Sequence, residues 1–127
     1  MSPRTWRLVL SAAALPFLVT AGWGAVDASS FAGTVADFGA ENSHLVHDFA
    51  ASSATYGIAL LVAIPVSSWR TPILALAALW NGVHSLSHVI DIGEADPGFL
   101  GPVEAVALLG TTALLAWLAW LSAEGAR

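Results

Sequence analysis

LVHDFAASSATYGIALLVAIPVSSWRTPILALAALWNGVHSLSHVI, residues 45–90, contains two long apolar runs, about 45–66 and 72–90, joined by the link SSWRT. Neither run contains Lys or Arg. Each is close to the roughly 20 residues that a helix needs to cross a hydrocarbon layer. So short a link makes the two helices antiparallel neighbours. Runs of the same kind lie on either side, at 8–26 and about 102–121, the latter after the link DIGEADPGFLG. The reading is an all-α fold, a four-helix transmembrane bundle of up-down topology, forming a single integral membrane domain over residues 1–127. Pro72 and Pro102 stand where spans three and four begin, positions at which a missing backbone N–H is tolerated. Pro16 lies inside span one and predicts a kink there.

Composition leads to the same class. Of 127 residues, 57% are hydrophobic and 10% charged, against about 25% charged in soluble domains. Four Arg, no Lys and a net charge of −5 exclude nucleic acid as a partner, because phosphate neutralisation needs clustered basic residues. With no Cys there is no disulfide, thiolate nucleophile, iron–sulfur cluster or Cys-ligated zinc. A metal site would have to use His and carboxylates. The lipid bilayer is the first expected partner, and a second copy or another membrane protein is a further candidate.

Charge predicts the orientation. Arg4, Arg7, Arg70 and Arg127 all fall on one side of the up-down arrangement, which the positive-inside rule makes cytoplasmic, together with both termini. Asp27, Asp37, Glu41, Asp48, Asp91, Glu94, Asp96 and Glu104 fall on or near the other side, leaving Glu124 within. Trp6, Trp69, Trp117 and Trp120 lie near the predicted inner interface. The expected location is the cytoplasmic membrane. A competing reading takes MSPRTWR, the following apolar run and VDASS as a secretory signal cut near Ala28. In the outer segment, 27–44, Phe31, Val35 and Phe38 at i, i+4, i+7 suggest either a short amphipathic helix on the membrane surface or a plain loop.

The chemistry is concentrated in ENSHLVHD, residues 41–48, and NGVHSLSHVID, residues 81–91. At 100° per residue, Glu41, His44 and Asp48 share an arc of about 60°, with His47 about 60° further round. Asn81, His84, His88 and Asp91 share an arc of about 80° on span three. If spans two and three pack together, all four His meet at one membrane depth. Below Asp48 the same face runs through Ser52, Thr55 and Ala59, small or weakly polar residues expected to face inward. Ionisable groups in a bilayer need partners, and a divalent transition metal would supply one. The expected ligands are His44, His84 and His88, with Asp48, Asp91 and Glu41 as further ligands or orienting groups. Donors of this kind without sulfur suit zinc, iron or manganese.

The alternative is a structural or accessory subunit whose His and Asp groups form an interhelical hydrogen-bond network. Haem b is disfavoured, since no basic side chain on the acidic outer side could pair with propionates. A proton or ion relay finds few polar groups in the inner half. Glu104 is ascribed to the ordinary preference for acids in a helix's first turn. Whether the protein is an enzyme stays open.

HLVHDFAASSATYGIALL, followed after a short Arg-containing link by NGVHSLSHVID, resembles an uncharacterised family of small four-span bacterial integral membrane proteins, DoxX-like in size and layout. The resemblance covers roughly residues 40–115. It implies the four-span fold and carries the paired-His pattern onto His44, Asp48, His84 and His88. It implies no reaction.

Overall fold

A computed structural model describes residues 1–35, 37 and 40–125, and the chain is all-α. Helix α1 is Pro3–Val26, α2 Ala28–Val35, α3 Ser43–Val62, α4 Arg70–Ile90 and α5 Leu100–Glu124, with a single 3₁₀ turn, Ser67–Trp69, before α4. The four long helices are each long and apolar enough to cross a membrane. No more than 28% of any span's apolar window is buried within the chain. The remaining surface, including Leu8, Val26, Ile90 and Val106, is therefore built to face lipid. The protein is a small multi-pass membrane protein folded as a four-helix bundle.

Local signals explain the helix ends. Ser2 accepts the Thr5 backbone N–H at 3.1 Å and Pro3 follows it, so α1 starts five residues before the apolar run does. Asp27 Oδ1 accepts from the Ser30 backbone at 2.9 Å and starts α2. Asn42 Oδ1 accepts from Leu45 N at 3.2 Å and starts α3. Pro72 and Pro102 each occupy the third position of their helix, where the missing N–H has no intrahelical acceptor to lose. Helix α3 ends at Val62, not at 66, because Pro65 has no N–H and drives the residue before it away from helical backbone. Arg70 then closes that end: its Nε and Nη2 donate to the carbonyls of Ala63 and Ile64 at 3.2 and 3.1 Å. The guanidinium also lies 5.5 Å from the centre of the Trp6 ring. Trp6 is thus buried beneath a cation and does not face the interface.

The bundle is built from two closely packed pairs, α1 with α3 and α4 with α5. On α3 the buried face is Val46, Ala50, Ser53, Gly57 and Leu60. Leu18 and Phe17 of α1 press on Gly57, and Val46 and Ala50 press on Gly24, so small residues set the approach of the two backbones. The expected inward face, Asp48, Ser52, Thr55 and Ala59, lies about 200° round the helix from this buried face; Ser52, Thr55 and Ala59 line the seam with α4, whereas Asp48 is exposed. The hydroxyls of Ser52 and Thr55 bond their own helix, to the carbonyls of Asp48 and Ala51 at 3.0 and 2.9 Å, and need no partner across an interface. Between α4 and α5, Asn81 Nδ2 donates to Leu108 O and Thr112 Oγ1, both at 2.8 Å.

Packing is uneven along the bundle. Near the Arg70 end, Trp6, Leu10, Ala14, Phe17, Leu60, Leu74 and Leu115 form a continuous core shared by all four spans. At the opposite end a smaller cluster joins Phe31 and Ala32 of α2 to Val46 of α3. Helix α2 thus realises the amphipathic reading of the outer segment. Phe31 is buried and Val35 packs against that cluster, while Phe38 lies outside the described residues, as does Arg127.

Candidate binding cavity

Pairing α1 with α3 and α4 with α5 leaves α3 and α4 loosely joined along their shared seam. At the end that carries α2, this seam widens into a cavity of about 630 Å³. Phe31, Val35, Leu45, Val46, Phe49 and Leu108 line it with apolar surface, and His84, His88, Asp91, Glu41 and Glu104 add ionisable groups. No Arg is among the lining residues.

The floor is set by α4. Trp80, His84 and His88 recur every fourth residue, so their side chains rise one above the other on a single face. The His84 ring stacks on Trp80 with centroids 5.4 Å apart and planes at 17°. It meets Phe49 of α3 at 5.2 Å and His88 edge-on at 4.8 Å. From α5, Glu104 reaches across: its Oε2 lies 3.1 Å from His88 Nδ1, and each side chain is 14% exposed. The two side chains thus meet across the α4–α5 interface at the cavity wall.

The rim is acidic. Glu41 accepts from Ser29 Oγ at 2.9 Å through one oxygen and from Ser43 Oγ at 3.0 Å through the other. These bonds fix the start of α2 against the start of α3. Asp91, the residue that ends α4, is exposed at the cavity edge.

Of the residues singled out by spacing, His84, His88, Asp91 and Glu41 line the cavity. His44 and Asp48 are not among its lining. They pair with each other, Nε2 to Oδ2 at 3.6 Å, with 86% and 67% of their side chains exposed, on the α3 side away from the face that meets α1. His47 is also exposed. Among the described residues no group of three or more His, Asp or Glu side chains is arranged to hold a metal ion.

Sequence reasoning passed over Glu104, Phe49 and Trp80. Helix α5 begins at Leu100 and has no acid in its first turn, so the dipole account of Glu104 does not apply. Two signals could have found these residues: the four-residue repeat Trp80, His84, His88 on α4, and Gly101, Glu104, Leu108 and Thr112 along one side of α5. A scan against protein-family models found no match, and searches of curated proteins and of solved structures likewise returned none.

Proposed function

We propose that this protein binds a small organic cation in its α3–α4 cavity, which opens to the extracytoplasmic side. The observation that carries the reading is the lining: three carboxylates, Glu41, Asp91 and Glu104, with two imidazoles and the aromatic rings of Phe31 and Phe49, and no Arg among the described lining residues. Carboxylates gathered in and around a recess attract a cation, most strongly where, as at Glu104, the side chain is shielded from water. Aromatic faces within about 6 Å add to that attraction, above all for quaternary ammonium groups. About 630 Å³ falls inside the roughly 300–1,000 Å³ range of small-molecule pockets. The side assignment rests on charge: Arg4, Arg7 and Arg70 belong to the end opposite the cavity, which the positive-inside rule makes cytoplasmic.

The test is equilibrium binding of radiolabelled tetramethylammonium to the protein in lipid nanodiscs. Saturable binding that Glu104→Gln weakens severalfold is the expected result. No binding beyond that of empty nanodiscs, or binding indifferent to Glu104→Gln, overturns the reading.

A divalent transition metal is the second reading, favoured by the 4.8 Å separation of the His84 and His88 rings and by Glu104 beside His88. Side-chain rotation would be needed to bring these donors onto one ion. Stoichiometric zinc uptake lost in a His84→Ala/His88→Ala variant supports it, and metal-independent tetramethylammonium binding goes against it.

A further inference from the structure

A second recess lies on the same α3–α4 seam, deeper in the membrane. It has a volume of about 410 Å³ and is lined by Ser52, Tyr56 and Ala59 of α3 and by Ile73, Leu76 and Trp80 of α4, with Thr55 at its edge. Since Ser52 and Thr55 spend their hydroxyls on their own helix, the wall presents mainly carbon to an occupant, with Tyr56 adding a ring and one hydroxyl. The rings of Phe49 and Trp80 stand between this cleft and the cavity above. Phe49 lines the cavity and Trp80 the cleft. Their rings lie 5.9 Å apart, and both touch His84.

Head and tail chemistry therefore stand in line along one seam. From His88 to Ile73 is fifteen residues of helix, about 22 Å, the reach of an extended long alkyl chain. The upper part is acidic and aromatic, and the lower part is apolar. We infer that the ligand is a single-chain cationic amphiphile, its ammonium head in the acidic cavity and its alkyl tail laid past the Phe49–Trp80 rings into the cleft. This rests on the cation reading above and adds the tail. The charge complementarity of the cavity fixes the direction in which the chain lies. A bilayer lipid of anionic head, or a helix of a second copy, would leave the cavity's carboxylates unmatched.

Dodecyltrimethylammonium is the probe, measured beside tetramethylammonium in the same nanodiscs after subtraction of empty discs. Ala59→Leu and Ser52→Leu each fill the cleft from α3, and circular dichroism identifies whichever of them folds. The inference expects either variant to weaken dodecyltrimethylammonium by about tenfold. A chain-brominated analogue is expected to quench tryptophan fluorescence in wild type more than in Trp80→Phe, with excess tetramethylammonium reversing the difference. If both probes bind and Glu104→Gln weakens both, while the cleft variants and the Trp80 signal have no effect, the tail assignment fails and the cation site stands. If neither probe binds, the cation reading fails and the tail assignment fails with it.

Discussion

His88 and Glu104 bind α4 to α5 at the level where the bundle opens. Removing one member leaves the other poorly hydrated and without its 3.1 Å contact, a loss of about 1–3 kcal/mol for a buried polar group. Glu104→Ala and His88→Ala are each expected to fall in that range when unfolding is followed in detergent. The double variant should lose less than the sum of the two, because the 3.1 Å contact counts in both single losses but is lost only once. Strictly additive losses would show that the two side chains do not act on each other. The same pair marks the limit of spacing arguments. Arithmetic along one helix put His84, His88 and Asp91 on a common face, and they do line one cavity. It could not show that the partner of His88 would come from α5, because the rotation of α5 about its axis is set by contacts with α4 such as Thr112 against Asn81 and Gly82.

Helix boundaries follow the same division between local and distant causes. Pro72 and Pro102 lie in the first turns of their helices, as read from the chain, since that preference is a property of the residue itself. The early end of α3 depends on Pro65, and its closure depends on Arg70 returning to the carbonyls of Ala63 and Ile64. The face of α3 that meets α1 was missed for a further reason. Hydroxyls that can bond their own helix give no clue to which side takes the closest neighbour, whereas Gly57 and Ala50, which admit α1, do. Gly101 shows how sharply such an approach is set. A Cβ there would collide with the carbonyl oxygen of Ile92, whereas one at Gly98 would meet open space. Gly101→Ala is expected to destabilise the α4–α5 pair by about 1–3 kcal/mol, and Gly98→Ala to shift the melting temperature little. Equal effects of the two substitutions would contradict the close approach.

At the scale of the molecule, one half of the bundle is packed and the other hollow. Small residues such as Ala14, Ala63, Ala77, Ala78 and Ala119 let four helices close around Leu10, Leu60, Leu74 and Leu115. Toward the other end imidazoles, carboxylates and rings line the cavity between the two helix pairs. Such a molecule can lodge a ligand without losing its core, since the core shared by all four spans lies at the far end from the cavity. Charge follows the same axis: Arg4, Arg7 and Arg70 at the packed end, Asp27, Glu41, Asp91 and Glu94 at the hollow one. A chain without cysteine allows the sidedness to be measured directly with single substitutions. Glu94→Cys, on the exposed link between α4 and α5, is expected to react with a membrane-impermeant maleimide on intact cells. Ser68→Cys, on the exposed turn before α4, is expected to react only after permeabilisation. The reverse pattern would place the cavity mouth in the cytoplasm, and the source of any cation reaching it would have to be sought inside the cell.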